Sequence, residues 1–519
     1  MAEITTGTVY IIGAGPGDPE LISIKGARCL GRADVVIYDY LVHPDVLNHA
    51  RPGARLVYAG KQGGAHTLSQ DAINNLIVAE ARQGRTVARL KGGDPFIFGR
   101  GGEEADVLAR EGIRFEVVPG VTSAIAVPAY AGIPLTHREH ASTLAFVTGH
   151  EDPAKDESGV DWGSLAGIGT LVFLMGVKNL PKIAEGLIAH GKDRQTPVAV
   201  IRRGTTADQV TLTGTLQDIA GKAGAAGLQP PAIVVVGEVV RFRESLNWFE
   251  TRPLFGRGVV VTRPEPQAEP FAALLREQGA RVIPFPVIQI EPPRTWEAAD
   301  QAIVRLGQYQ WIIFTSANGV RCFSRRLTEL GGDVRALKGL RLCTIGPATA
   351  EALAGLGLKE DLVPEKFVSE GVVEAFAKMD IKGTRMLLPR AEEARDVIPG
   401  GLAGQGADVD VIAVYRTAPS GRTRGELDAW IGKGLVDAVT FTSPSTVRHF
   451  LDIMGRQGAD DLFCGRRARI AAIGPVTAEA VRQAGYAVDI FQETYTVAGM
   501  VEALAAYYAR GVADGGGAR

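Results

Sequence analysis

Residues 8–18, TVYIIGAGPGD, decide how this chain must be read. A β-branched apolar run ends in Gly13-Ala14-Gly15-Pro16-Gly17-Asp18, the pattern of a strand whose end lets backbone approach a ligand, because glycine interposes no Cβ. A dinucleotide fingerprint needs its third glycine one residue later, and Pro16 removes an N–H that a pyrophosphate could use. A nicotinamide cofactor is therefore disfavoured. Residues 87–104, VARLKGGDPFIFGRGGEE, supply a second glycine-dense loop directly after the strand Val87 to Leu90. Two such loops converging at strand ends predict an open, backbone-lined pocket for a polar ligand without phosphates, with Asp94 placed to face a cation or an amine.

Outward from these loops the first half continues as α/β, with short runs at Val35 to Tyr38, Leu144 to Thr148, Leu171 to Met175 and Ala232 to Val236. Residues 247–258, NWFETRPLFGRG, break the pattern, and Val259-Val260-Val261 opens a fresh strand. A domain boundary is expected there. The 519 residues of the whole chain suggest about three or four domain-sized units at roughly 150 residues each.

The second half repeats itself. VVVTRPEPQAEPFAALLREQGARV from 259 returns as MLLPRAEEARDVIPGGLAGQGADV from 386, an offset of 127 that carries Arg263 onto Arg390 and Thr315-Ser316 onto Thr442-Ser443. IGPATAEAL at 345 returns as IGPVTAEAV at 473, one residue out of that register. Each copy alternates a β-branched run with an amphipathic stretch, which implies two similar α/β lobes with a ligand cleft where strand ends and helix starts converge. Arg263 and Arg390 suit bidentate capture of carboxylates, and the hydroxyl-bearing turns at Thr315-Ser316 and Thr442-Ser443 suit a second anion site per lobe. No G-x-S-x-G elbow marks a nucleophilic serine.

Charge and cysteine usage narrow the class. Lys plus Arg number 56 against 58 Asp plus Glu, a net charge of −2, so no global basic field holds nucleic acid or an anionic membrane, and any anion must be caught locally. Cys29, Cys322, Cys343 and Cys464 lie far apart, which argues against a disulfide framework or a structural zinc. No signal segment and no run of 18 apolar residues is found, so a cytoplasmic protein is expected. The tail from Gly511, GVADGGGAR, is too small and polar to order itself, and residues 510–519 are expected to be disordered.

The first half closely resembles the uroporphyrinogen-III C-methyltransferases of the tetrapyrrole methylase class. The resemblance rests on GAGPGDPELISIKG at 13, VVIYDYLV at 35, KGGDPFIFGRGGEE at 91, VPGVTSA at 118, GIPLTHR at 132, FLMGVKN at 173, RRGT at 202 and LNWF at 246. It implies a two-subdomain methylase fold over 1–252 that uses S-adenosylmethionine and releases S-adenosylhomocysteine. It also implies cofactor contacts at Pro16, Gly92, Gly93, Asp94, Ile97, Thr122, Ser123, Met175 and Gly204, a proton acceptor at Asp39 and a proton donor at Lys61, in keeping with the general acid and base work of moving protons on a macrocycle. Tyr40 stands where relatives often carry Arg, which removes one expected contact to substrate carboxylates.

The stretch 256–509 is similar to uroporphyrinogen-III synthases through VVVTRP at 259, FTSANGV at 314, IGPATAEAL at 345, VIAVYRT at 411, FTSPSTV at 441, AAIGPVTAEAV at 471 and YTVAGMVEAL at 495. This resemblance implies a two-lobed, pseudo-symmetric α/β fold. One lobe (287–414) is inserted in the other (256–286 with 415–509), and the crossings lie near Phe285 to Ile290 and Val411 to Tyr415. It further implies cofactor-free cyclisation of hydroxymethylbilane, an octacarboxylate, with Arg263, Arg390, Thr315, Ser316, Thr442 and Ser443 binding substrate and Tyr415 helping a hydroxyl depart. Joined, the halves would make uroporphyrinogen III and then methylate it twice to precorrin-2 for sirohaem or cobalamin. Neither metal nor NAD, neither nucleic acid nor membrane, and a homodimer formed through the methyltransferase half are expected. The alternatives are a non-catalytic polyanion- or tetrapyrrole-binding module for the second half and an NAD-dependent oxidoreductase for the first.

Overall fold

The structure, a computed structural model, describes residues 6–60, 68–149 and 160–513. The chain divides into two compact units, the first formed chiefly by residues up to Gly258 and the second chiefly by Val259–Leu274 and Val282–Ala503.

In the first unit, β1 (Val9–Gly13), β2 (Val35–Tyr38), β3 (Arg55–Tyr58), β4 (Val87–Lys91) and β5 (Phe115–Val118) form a wholly parallel sheet in the order β3-β2-β4-β1-β5. Val9, Ile11, Ile12, Val35, Val36, Ile37, Val87, Ala88 and Leu90 are all buried, because helices cover both faces, and so the strands read as unbroken apolar runs rather than alternating ones. Strands β1 and β4 are neighbours at the point where the chain switches sides of the sheet. The loops leaving their carboxyl ends therefore lie side by side.

A second sheet holds β6 (Leu144–Thr148), β7 (Thr170–Leu174), β8 (Pro197–Arg202), β9 (Val210–Thr215) and β10 (Ala232–Val236) in the order β6-β7-β10-β8-β9. Only β6 and β7 pair in parallel; the rest are antiparallel. The helix Ser123–Tyr130 follows β5 and links the sheets. Thr122 caps its start by accepting the Ala124 N–H at 3.3 Å, while Ala124 and Val127 pack against Val172, Leu174, Ile201 and Ile233 of the second sheet.

The second unit holds β11 (Gly258–Val261), β12 (Arg281–Pro284), β13 (Ile288–Glu291), β14 (Trp311–Phe314), β15 (Arg341–Thr344), β16 (Arg385–Ala391), β17 (Asp408–Pro419), β18 (Ala438–Phe441), β19 (Arg469–Ala472) and β20 (Ile490–Phe491). They form an outer-lobe sheet, β12-β11-β18-β19-β20, and an inserted-lobe sheet, β13-β17-β16-β14-β15. The first crossing falls between β12 and β13, inside the expected window. The return crossing lies at Ser420 rather than at Val411 to Tyr415. Beyond Tyr415 strand β17 leaves β16 and pairs antiparallel with β13, from Arg416 opposite Glu291 to Pro419 opposite Ile288, so residues up to 419 stay in the inserted sheet. The two crossings touch, with the Ser420 N–H donating to the Val287 carbonyl at 3.2 Å.

The C-terminal expectation needs a second correction. The helix Val497–Ala513 takes in residues 510–513, because the apolar spacing of Met500, Val501, Leu504 and Tyr508 buries one face and carries its last turn along. Residues 514–519 lie outside the described set. Among the described residues no helix is long and apolar enough to cross a membrane.

Candidate functional site

In the first unit the two glycine loops meet as expected. Gly15 and Gly93 exchange both backbone hydrogen bonds, Gly93 N–H to Gly15 O at 2.6 Å and the reverse at 3.3 Å, at φ of +84° and +70° that side chains other than glycine rarely adopt. They frame a cavity of about 590 Å³ whose wall includes Pro16, Gly92, Gly93, Asp94, Ile97, Thr122, Ser123, Met175 and Gly204, together with Asp39. The nine positions that the resemblance assigned to a cofactor thus fall in one place. Lys61 lies outside the described residues.

The wall is shaped by close approach and by strain. A Cβ on Gly92 would sit 2.4 Å from Leu41 Cβ, and one on Gly204 would sit 2.4 Å from a Val127 methyl carbon. Phe98, Arg100, Met175 and Arg203 line the cavity with positive φ, and Thr205 beside Gly204 has φ of +68°. Conformations of this kind persist where surrounding structure over-determines them. Part of that surrounding structure is Asp18, whose N–H donates to Thr205 Oγ1 at 3.0 Å and whose carboxylate accepts the Tyr130 hydroxyl at 2.8 Å. One turn residue thereby ties the first glycine loop to both sheets.

Asp94 lines the cavity and is held there by backbone. Its Oδ1 accepts the Phe96 and Ile97 N–H groups at 2.8 and 3.1 Å, and its Oδ2 accepts the Gly120 N–H at 3.0 Å. The carboxylate fastens the second glycine loop to the turn before Thr122 while remaining part of the cavity wall.

Sequence reading missed a buried charge cluster behind the cavity. Arg89, Lys91 and Glu104 are 3%, 4% and 1% exposed. Glu104 Oε1 accepts from Arg89 Nε at 3.0 Å, Lys91 Nζ at 2.8 Å and Gln70 Nε2 at 3.1 Å, while its Oε2 has no partner. Burial pushes the Glu104 carboxyl up, but Arg89 and Lys91 outweigh it and hold the group below its ordinary range. Burial and then Arg89 lower the Lys91 ammonium. Arg89 also stands 3.8 Å from Asp39, whose Oδ1 accepts the Leu41 N–H at 3.0 Å. The signal was present: two cations in a strand buried on both faces require a carboxylate, and the helix opening GGEE lies beside that strand.

Elsewhere in this unit His137, Glu139 and His140 bring ligand atoms within 4.8 Å of one another. His137 Nδ1 already accepts the Glu139 N–H at 3.2 Å, a bond that a metal at that nitrogen would displace.

In the second unit the sequence-predicted residues are brought together only in part. Ser316 and Tyr415 meet, hydroxyl to hydroxyl, at 3.0 Å, and Ser316 also caps the helix Ala317–Glu329 through the Gly319 N–H. Burial holds the Tyr415 phenol above its ordinary range, so it is a neutral hydrogen-bonding group at neutral pH. Among the described residues Arg263 donates to the neutral Gln267 side chain alone, at 3.1 Å. Its repeat mate Arg390 is occupied, donating to Asp396 at 2.6 Å and to the Arg395 carbonyl at 2.9 Å. Ser443 caps the helix Pro444–Phe463 and bonds Ser445 Oγ at 2.9 Å. Thr315 and Thr442 begin the corresponding turns after β14 and β18.

Comparison with known proteins fits this division. Residues 8–220 match the tetrapyrrole (corrin/porphyrin) methylases, and residues 269–502 match uroporphyrinogen-III synthase HemD. The porphyrin biosynthesis protein HemD of Ruminiclostridium josui is 36% identical over 478 residues, covering 92% of this chain and 94% of the relative. An S-adenosyl-L-methionine-dependent uroporphyrinogen III methyltransferase of Methanosarcina barkeri is 55% identical over 242 residues, 46% of this chain and 95% of the relative. A siroheme synthase of Pseudomonas aeruginosa is 52% identical over 252 residues, 48% of this chain and 54% of the relative.

Proposed function

Because the chain belongs to the family of HemD porphyrin biosynthesis proteins that join a tetrapyrrole methylase to a uroporphyrinogen-III synthase, we propose that it carries out two consecutive reactions. Residues 256–509 cyclise hydroxymethylbilane to uroporphyrinogen III. Residues 1–252 methylate that product twice to precorrin-2, toward sirohaem or cobalamin. The observation that carries the reading is the gathering of nine cofactor positions and Asp39 around one cavity within the methylase segment.

The residues present fit S-adenosylmethionine. Gly92 and Gly204 let backbone pack directly against Leu41 and Val127, where a Cβ would collide, and so keep the wall backbone-lined with N–H and C=O groups for a polar ligand. When bound, the cofactor supplies an electrophilic methyl group. The chain's own residues do the rest: the glycine loops orient the two reactants, and Asp39 at the cavity edge takes up a proton released at the pyrrole carbon. In the second unit the desolvated Arg263 binds a substrate carboxylate, and the Tyr415 hydroxyl, hydrogen-bonded to Ser316, helps the substrate hydroxyl depart. Neither metal nor NAD enters this chemistry. Exposed Phe96, Phe98 and Val121, on loops joined through Asp94, and Ile125 in the first turn of the helix Ser123–Tyr130 supply an apolar surface for a homodimer of the methyltransferase half.

Feeding the intact chain hydroxymethylbilane with S-adenosylmethionine tests the proposal. Precorrin-2 is expected. Uroporphyrinogen I alone would overturn the synthase assignment, and unmethylated uroporphyrinogen III would overturn the methylase assignment.

A further inference from the structure

We infer that Arg263 and Arg321, reaching from opposite lobes of the second unit and bridged by Gln267 and Asn318, form a binding subsite for one carboxylate of the tetrapyrrole substrate. The inference rests on the synthase reading and deepens it. Arg263 and Gln267 belong to the turn after β11 and the helix Glu265–Glu277 of the outer lobe; Asn318 and Arg321 belong to the helix Ala317–Glu329 of the inserted lobe. Arg263 Nη2 donates to Gln267 Oε1 at 3.1 Å, Gln267 Nε2 donates in turn to Asn318 Oδ1, and Arg321 Nη2 donates to the same oxygen at 3.3 Å.

Every acceptor in that chain is a neutral amide oxygen. Two guanidinium groups therefore meet at one bridge of amides, and among the described residues no carboxylate bonds to either. Among the described residues neither takes part in an ion pair, whereas Arg326 of the same helix is paired with Asp300 at 2.7 Å. Uncompensated cations that are partly removed from water repel each other, and burial followed by Arg321 disfavours the charge on Arg263. An anion lodged between them relieves that repulsion and uses the guanidinium N–H groups that the amides leave free. The repeat does not duplicate the arrangement, because Ala394 and Ser445 replace Gln267 and Asn318 at the offset of 127, although Arg448 matches Arg321. The bridge exists once and spans the lobes, so an anion held there also ties them together.

The test uses the full chain with hydroxymethylbilane. Arg321 is exposed, so Arg321→Gln is expected to fold, and wild-type hydrogen-exchange protection at the β14 and β16 amides of the same lobe reports that it has. Removing one charge-assisted contact is expected to raise KM for hydroxymethylbilane on the order of tenfold, with kcat changed less than about threefold. Arg321→Lys is expected to recover much of the loss, and wild-type KM to rise more steeply with ionic strength than that of Arg321→Gln. If Arg321→Gln still forms the type III isomer with the wild-type KM and the wild-type salt dependence, the subsite is wrong and the synthase reading stands. If the wild type forms only the type I isomer, the synthase reading itself has failed.

Discussion

The two units build their sites from different parts of the chain. In the first, backbone makes the cavity: paired glycine turns, positive-φ residues at Met175 and Arg203, and amide groups fastened by Asp94. In the second, the proposed site rests on side chains that meet between the lobes, and the two copies of the repeat differ at those side chains. Among the described residues Arg263 is bonded to an amide, while Arg390 is neutralised by Asp396. A site made of backbone tolerates almost no substitution, because its glycines are fixed either by what lies behind them, as at Gly92 and Gly204, or by a positive φ, as at Gly15 and Gly93. A site made of side chains is graded and can lose a member at modest cost.

The largest effect expected from this difference is at Gly92. A valine there drives its Cβ into Leu41, 2.4 Å from the ideal position, and displaces one wall of the cavity. Methyl transfer measured as kcat/KM should fall by at least about 100-fold, the usual cost of misplacing reactants by an ångström, and affinity for S-adenosylhomocysteine should fall with it. Formation of the type III isomer should be unchanged. Retained methylation would mean that the loops yield, and that the contrast between backbone and side-chain sites is overdrawn.

Next in size is the cluster behind the cavity. Glu104→Ala leaves Arg89 and Lys91 buried beside an uncompensated gap, a change that costs roughly 3–5 kcal/mol in comparable settings. Hydrogen exchange at the β4 amides should report the loss. Because the folded Glu104 carboxyl lies below its ordinary range, its contribution is present above the unfolded value near about 4.5 and is lost as pH falls through the folded one. The wild type should therefore lose β4 protection on acidification below that point, and Glu104→Gln should show a flatter dependence. An identical acid limb in both would remove Glu104 as its source.

These outcomes bear on what was legible in the sequence. The glycine loops and their convergence could be read because strand ends and turn glycines are local signals. The inserted lobe could be read because a register of 127 persists across blocks. The partner of Arg390 could not, since Asp396 becomes an acceptor only when residues 391–396 fold back on the strand end, and the equivalent place in the other copy holds Glu269. Nor could the exit of β17 at Ser420, which depends on pairing with β13 more than a hundred residues earlier. The backbone bonds of Asp94 were hidden for a similar reason: its Gly120 contact joins two loops that sequence separates.

The smallest effect is the most discriminating. If the repeat had kept its symmetry, Arg263→Gln and Arg390→Gln would damage cyclisation equally. Arg263 is desolvated and bonded only to an amide, so losing it should lower kcat/KM for hydroxymethylbilane by roughly 30-fold, the worth of a charge-assisted contact. Arg390 already donates to Asp396 and to the Arg395 carbonyl, and its charge is cancelled before any substrate arrives. Its loss should cost less than about threefold, in the range of exposed ion pairs. Asp396→Ala then supplies the sharper control, because it frees the Arg390 fork without removing it. Tighter binding of hydroxymethylbilane in that variant would show that the inserted lobe keeps a masked anion site. Unchanged binding would show that the Arg390 fork points away from the substrate even when unpaired, leaving the outer lobe's arginine to act without its mate.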